Sequence, residues 1–115
     1  MIKTKQEVEE FLNQFGVKFD VWGIIYLDRE KNEEALKALG ITPKARDVIV
    51  RQVRSDDYVE TLSANYFGEM WVFGRDMDGV ELYIKIALGS PNSQTICISF
   101  HIAEHPISYA FEKEK

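Results

Sequence analysis

The two histidines of this chain stand four residues apart in residues 96–106, ICISFHIAEHP, and with the glutamate between them spell His-x-x-Glu-His. That spacing binds zinc in one class of metalloproteases, but only when a helix carries both histidines on one face. Residues 94–101, QTICISFH, instead alternate between polar and apolar side chains, which is the period of a strand. Pro106 also disfavours helical backbone at His105. We therefore expect His101 to end a strand and to bind no metal.

A second run, residues 80–88 or VELYIKIAL, alternates in the same way. Its predicted inward positions are Val80, Leu82, Ile84, Ile86 and Leu88, and its outward positions are Glu81, Tyr83, Lys85 and Ala87. In residues 94–101 the predicted faces are Ile96, Ile98 and Phe100 on one side and Thr95, Cys97, Ser99 and His101 on the other. The loop GSPNS joins the two strands as a hairpin.

Two registers of this hairpin keep the apolar faces together. One sets Tyr83 opposite Ser99 and Glu81 opposite His101, and a slip of two residues sets Tyr83 opposite His101 instead. In both registers one sheet face carries Glu81, Tyr83, Lys85, Ser99 and His101. Such side chains can supply a general acid, a general base and an anion stabiliser. The alternative is an ordinary solvated surface, because outward strand positions are normally polar.

Short-range signals predict the first elements that must support this face. Thr4 and Glu7 have the spacing of a capping box, and the apolar period that follows predicts an amphipathic helix ending at Gly16. Residues 17–27 are rich in β-branched and aromatic side chains, which favours a strand among them.

A second helix is predicted over residues 32–39 and ends at Gly40. A third starts at Thr42-Pro43 and runs to about Arg54. The side chains that this third helix is expected to bury are Val48, Ile49 and Val53.

The remaining elements are a loop and the strands. Residues 55–68 are polar and predict a loop, residues 70–73 (MWVF) predict a strand, and Asp78-Gly79 predicts a hairpin turn. Helices followed by a three-strand meander predict an α+β fold. We expect a small antiparallel sheet with helices packed on one face, in a single domain over residues 1–115.

The composition excludes several classes of protein. With 45% hydrophobic residues among 115, the chain can build a core without disulfides. It has no apolar run long enough to span a membrane, and the charged start MIKTKQEVEEF does not resemble a signal peptide, so we expect a cytoplasmic protein. Cys97 is the one cysteine, and we expect a buried side chain rather than a nucleophile.

The net charge of −5 counts against nucleic acid as a partner, since phosphate binding usually comes with a basic surface. One basic cluster is present, formed by Lys44, Arg46, Arg51 and Arg54. A solvated helix face and a phosphate-binding face are equally compatible with it.

Four segments in order resemble the MqsR family of bacterial toxins. They are QEVEEF, then ALKALGITPKARDVIVRQVRSDDYVETL, then MWVFGRDMDGVELYIKIA with its tryptophan and Tyr-x-Lys strands, and finally QTICISFH. The resemblance covers about residues 4–105. It rests on the conjunction of the segments, because Leu-Gly and Tyr-x-Lys are each common.

The resemblance implies a RelE-like fold and the toxin of a toxin–antitoxin system. Such a toxin is an endoribonuclease that cleaves messenger RNA, an mRNA interferase, and needs neither metal nor cofactor. A cognate antitoxin holds it inactive, and its substrate is mRNA, free or on the ribosome. In this reaction the ribose 2′-hydroxyl attacks the adjacent phosphate with help from a base, an acid and cations.

The resemblance also implies roles for particular residues. Tyr83 and Lys85 match the family's Tyr-x-Lys strand, and we expect Lys85 to stabilise the phosphate and Tyr83 to transfer a proton or position the substrate. The strand pairing adds His101 as a general acid or base. Further RNA contacts are expected from Arg75, Tyr58, Lys44, Arg51 and Arg54.

The chain departs from the family at two positions where polar residues are expected, and one of them is Val72, which follows Trp71. A lysine follows the family's acidic-tyrosine segment, whereas Tyr58 is followed here by Val59 and Glu60. This loss and the acidic net charge leave an alternative function open, a non-catalytic protein-binding module on the same RelE-like scaffold.

Overall fold

In the part of the chain that the structure describes, three helices and a short strand come first and four longer strands follow. The computed structural model describes residues 1–64 and 66–111. The helices are α1 (Lys5–Trp22), α2 (Glu30–Leu39) and α3 (Pro43–Arg51), and a 3₁₀ turn follows at Ser55–Asp57. The strands are β1 (Ile24–Tyr26), β2 (Tyr58–Ala64), β3 (Gly68–Met77), β4 (Val80–Ala87) and β5 (Thr95–Ile102).

The strands form one five-stranded sheet in the order β1-β5-β4-β3-β2. Strand β1 pairs with β5 in parallel, and all other neighbours are antiparallel. The predicted α+β class with a small antiparallel sheet is therefore confirmed. At the predicted hairpin turn between β3 and β4, Asp78 and Gly79 both have positive φ, 52° and 88°, which suits a tight turn between twisted strands.

The main core lies between the helices and one face of the sheet, and it includes aromatic side chains from both layers. Phe11 of α1 stacks on Trp71 of β3 with ring centroids 4.2 Å apart. The other buried members of the main core are Val8, Phe15, Ala35, Val50, Val53, Tyr58, Phe73, Leu82, Ile84, Ile86, Cys97 and Phe100. We call the opposite sheet face the outer face. Within the described residues, no helix has the length and apolar character needed to cross a membrane.

Helix α1 does not end at Gly16, as the sequence predicted, but continues to Trp22. The predicted capping box is present at Thr4. An added Cβ at Gly16 would lie 3.0 Å from the guanidinium of Arg51, so this glycine makes room for a side chain rather than ending the helix. The helix ends instead at Gly23, whose φ of 85° suits glycine.

Helices α2 and α3 begin and end close to the predicted positions, but α3 buries a different residue. Gly40 ends α2 in the left-handed conformation, and the Thr42 side chain caps α3. The prediction that Val48 is buried is wrong, because Val48 is 49% exposed whereas Val50 is fully buried. Three consecutive apolar residues cannot share one face of a helix, since each turns by about 100°. The way in which α3 packs against the main core buries Val50.

Strand β2 replaces the loop that was predicted over residues 55–68. Tyr58 and Thr61 are both buried, although they are three positions apart. A β-bulge between Tyr58 and Glu60 explains this spacing, because one extra residue reverses the alternation of faces. The sequence therefore shows no strand period here, and its polar side chains suggested a loop.

A second bulge changes the predicted faces of β5. Tyr83 pairs with His101 and Lys85 with Ser99, which is the second of the two predicted registers. Ile86 then pairs with Cys97, so Ile98 is the extra residue. As a result, Cys97 lies in the helix-side core with Phe100, whereas Ile98 packs with Met70 and Ala87 on the outer face, with Ile96 beside them. The predicted faces of Ile96, Ile98 and Cys97 are wrong for this reason.

Candidate active-site cleft

A cleft of about 660 Å³ opens on the outer face of the sheet. Its floor lies over two adjacent rows of cross-strand neighbours, of which Glu60, Tyr83, Lys85, Ser99 and His101 line the cleft. The first row consists of Glu60, Val72, Lys85 and Ser99. The second row consists of Gly74, Tyr83 and His101. The three predicted catalytic residues, Tyr83, Lys85 and His101, thus line one cleft.

The N-terminal end of α2 forms one wall of the cleft, and the buried side chain of Asn32 holds it there. The Asn32 amide donates hydrogen bonds to the carbonyl oxygens of Leu27 and Ile98, and its oxygen accepts one from the Phe100 N–H, at 3.0–3.1 Å. β1 pairs with β5 only as far as Cys97, and the Asn32 side chain supplies hydrogen-bond partners to the edge of β5 beyond that point. Arg29, at the N-cap position of α2, consequently lies beside the floor.

The C-terminal segment of residues 103–111, which we call the tail, forms the other wall. It lies on Gly74, where an added Cβ would come within 2.8 Å of the Tyr109 hydroxyl. The Tyr109 hydroxyl donates to the carboxylate of Glu81, at 3.1 Å, and so does the backbone N–H of Ile107, at 3.3 Å. Glu81, predicted on the same face as the catalytic residues, therefore anchors the tail.

The tail is also attached at both of its ends. Near its start, Glu104 forms an ion pair with Lys31 of α2, which connects the two walls of the cleft. At its far end, the Ala110 N–H donates to the carbonyl of Tyr58, and the Phe111 ring stacks on the Tyr58 ring at 5.7 Å.

His101 and Tyr83 form a stacked pair on the floor. Their ring centroids are 5.2 Å apart and their planes differ by 15°. Nδ1 of His101 lies 2.9 Å from the carbonyl oxygen of Ile102. Because a carbonyl oxygen only accepts hydrogen bonds, Nδ1 is the donor there and carries a proton. Nε2 is then the ring atom that can exchange a proton with a substrate.

Lys85 lies between opposite charges near the middle of the floor. Burial lowers the pKa of Lys85, the Arg29 guanidinium lowers it further, and Glu60 opposes both effects. Burial and the charge of Glu60 raise the pKa of Tyr83, so its hydroxyl remains protonated and can donate a hydrogen bond. The cleft therefore presents an ammonium, a guanidinium and a phenol together.

The five predicted RNA-binding residues lie elsewhere. Tyr58 is fully buried, with its hydroxyl 2.7 Å from that of Thr61, so it is not exposed to RNA. Arg75 donates to the Gln52 carbonyl and to Asp57 on the helix side, both at 3.1 Å. The other three, Lys44, Arg51 and Arg54, lie on α3 or just after it, and none of them lines the cleft.

Arg51, moreover, has a carboxylate partner. Its guanidinium makes a two-pronged hydrogen bond to the carboxylate of Asp20, at 2.9 and 3.0 Å, which is the preferred geometry for this pair. Arg46 of the same cluster stacks over the Tyr26 ring at 3.5 Å. Arg51 and Arg46 thus attach α3 to α1 and to β1, respectively. These two arginines do not form an open phosphate-binding face.

Two charged cleft residues that act on the pKa of Lys85, Arg29 and Glu60, were not identified from the sequence. Arg29 stands in the polar stretch before α2, and only the docking of that helix directs it to the floor. Glu60 follows the unpaired Val59 of the bulge, which places its side chain on the outer face. The sequence did contain one signal for Glu60, because it follows Tyr58 in the segment where the MqsR resemblance expects a site residue.

The structure also bears on two other chemistries considered from the sequence. Within the described residues, no three His, Cys, Asp or Glu side chains are grouped closely enough to hold a metal ion. His101 lies in β5 and His105 in an irregular bend, so the His-x-x-Glu-His spacing does not lie on a helix. Cys97 is fully buried and its pKa is raised to about 12, which is unsuited to a nucleophilic thiolate.

The cleft is balanced in charge. Three cations line it, Arg29, Lys31 and Lys85, and so do three carboxylates, Glu30, Glu60 and Glu104. Among the described residues, the other titratable groups in this lining are Tyr83 and the two histidines. Binding of an anion therefore depends on local pairs of cations rather than on a broad positive field.

Comparisons with known proteins identify no relative. No family model, no curated protein and no solved structure matches this chain.

Proposed function

We propose that this protein is the toxin of a toxin–antitoxin system, with a RelE-like fold and the activity of a metal-independent mRNA endoribonuclease. The observation that carries this proposal is the meeting of Tyr83, Lys85 and His101 in one cleft, with Arg29 beside them. The resemblance to the MqsR family, from which the roles of Tyr83 and Lys85 are taken, also supports it. In that assignment the cleft binds the scissile phosphate of a single-stranded mRNA.

The residues of the cleft suit a transesterification at phosphorus. Lys85 and Arg29 stabilise the charge that accumulates on the phosphate oxygens in the transition state. Nε2 of His101 faces the substrate as a proton-transfer group. Tyr83 supports the imidazole by stacking and donates a hydrogen bond to the substrate. RNA is the required substrate, because only its 2′-hydroxyl provides the nucleophile.

Cleavage of a mixed messenger RNA by the purified protein in EDTA tests the proposal. We expect fragments that end in 2′,3′-cyclic phosphates, and a rate lower by about 10²-fold or more in Lys85→Ala and His101→Ala. Lys37→Ala is the control for Lys85→Ala, since it removes the same charge from an exposed position outside the cleft. The assay is repeated with translating ribosomes, because some substrates are presented only there.

Intact RNA in both forms of the assay would contradict the proposal. Equal cleavage by the parent and both cleft variants would mean that the protein is a ribonuclease but that its active site is not this cleft. In cells, expression of the parent is expected to arrest growth, and the two variants are expected to relieve the arrest.

A second candidate is a non-catalytic protein-binding module on the same scaffold. The balanced charges of the cleft and the net charge of −5 favour it, because both weaken attraction to RNA. This candidate predicts a stable complex with a protein partner and no cleavage. The toxin proposal also predicts a partner, a cognate antitoxin, so the cleavage assay separates the two rather than complex formation.

A further inference from the structure

Glu60 is a carboxylate that the β2 bulge directs into the cleft. The register of β2 shifts between Tyr58 and Glu60, which leaves Val59 without a partner on β3. Bulges of this kind commonly redirect a side chain next to an active site. Glu60 lies in the same row as Lys85, with only the buried Val72 between them.

The surroundings of Glu60 make it accessible to a substrate. The Glu60 side chain is half-buried and lines the cleft. It stands in the same cross-strand row as Lys85, and its charge raises the pKa of both Lys85 and Tyr83. The other charged and titratable groups that line the cleft are Lys85 and Tyr83 of β4, His101 of β5, Arg29, Glu30 and Lys31 at the start of α2, and Glu104 and His105 of the tail.

The position of Glu60 relative to His101 suits a pair of proton-transfer groups. They stand on β2 and β5, which are three strand spacings or about 14 Å apart across the sheet. His101 also lies two residues further along β5 than Ser99, which shares the row of Glu60. Both side chains line the cleft, and the strand order places Lys85 of β4 between β2 and β5. His101 and Lys85 are diagonal neighbours on adjacent strands, roughly 7–8 Å apart.

We infer that Glu60 is the general base of the ribonuclease and His101 the general acid, an assignment that rests on the proposed function. The Glu60 carboxylate takes the proton of the ribose 2′-hydroxyl while that oxygen forms a bond to phosphorus. The bond from phosphorus to the 5′-oxygen breaks, and the His101 imidazolium gives its Nε2 proton to the leaving oxygen. The products are a 2′,3′-cyclic phosphate and a 5′-hydroxyl, and water returns both groups to their starting protonation states.

The test is the pH dependence of RNA cleavage between about pH 4 and pH 9 in the parent and in Glu60→Gln. A general base and a general acid together give a bell-shaped profile for the parent. Glu60→Gln keeps the shape of the side chain but cannot accept the proton, so we expect cleavage to fall by about 10²–10⁴-fold and the acid limb of the bell to disappear. Glu60→Asp is expected to restore part of the rate together with the acid limb.

Glu9→Gln provides the matched control, because it makes the same change in net charge at an exposed position on α1. A parent that cleaves RNA while Glu60→Gln keeps its rate and its acid limb would overturn the assignment of Glu60 and leave the proposed function standing. A parent that cleaves no RNA, with or without ribosomes, would overturn both. A uniform loss in Glu60→Gln with the acid limb unchanged would make Glu60 a structural or binding residue and would also overturn the assignment.

Discussion

Replacement of Asn32 by alanine tests whether one buried amide holds the α2 wall of the cleft. Asn32 is only 2% exposed and makes three hydrogen bonds, two of them to the edge of β5. Each buried hydrogen bond contributes about 1 kcal/mol, and the backbone groups of Ile98 and Phe100 would lose their partner. The gain in helix propensity offsets roughly 0.5 kcal/mol of this loss.

We therefore expect Asn32→Ala to lower the free energy of unfolding by about 3 kcal/mol. For a domain of this size that is a fall in the melting temperature of roughly 10 °C. Urea denaturation followed by circular dichroism measures the difference. Asn13→Ala, at an exposed position on α1, is the matched control, because it makes the same helical substitution without a buried partner. A loss within about 0.5 kcal/mol of the control would refute the reasoning.

The variant Asn32→Asp tests the direction in which stability changes with pH. The introduced carboxyl would face two carbonyl oxygens, so burial and repulsion raise its folded-state pKa above the unfolded value of about 3.9. Because the carboxyl has a higher pKa in the folded state, its contribution to stability is fully present at a pH below its unfolded-state pKa. That contribution is lost as the pH rises through its folded-state pKa. We expect this variant to be nearest to the parent at about pH 4 and increasingly unstable toward pH 7, by the same denaturation assay. A constant difference across this range would contradict the predicted burial of the carboxyl.

Three further outcomes are expected. Gly74→Ala places a Cβ within 2.8 Å of the Tyr109 hydroxyl, so we expect it to destabilise the protein by about 1–3 kcal/mol and to speed proteolysis of the tail. Unchanged stability and unchanged proteolysis would contradict this contact. The buried Cys97 thiol, whose pKa is about 12, should react with a thiol reagent at mildly alkaline pH only after unfolding, and rapid reaction of the native protein would contradict its burial. Burial and the hydrogen bond to Asp47 raise the pKa of Tyr26, so stability should fall as the pH rises above about 10, and Tyr26→Phe should reduce that fall in alkaline denaturation.

Only part of the candidate site was predictable from the sequence. The alternating run of β4 placed Tyr83 and Lys85 together, and hairpin pairing left two registers for His101, one of which is observed. Arg29 was not predicted, because its place depends on the docking of α2 through Asn32, which is not a local property. The burial of Tyr58 was missed because the bulge beside it removes the strand period.

What the sequence by itself determined is the set of features made by residues close together in the chain. Thr4 caps α1, Gly40 ends α2, and Asp78-Gly79 turns between β3 and β4, because each depends on hydrogen bonds or backbone preferences within a few residues. Tertiary structure decided the rest. The continuation of α1 past Gly16, the two bulges and the docking of the tail depend on contacts between distant segments. Phe19 of α1 and Phe111 of the tail, for example, pack against the main core, and such contacts can outweigh local preference.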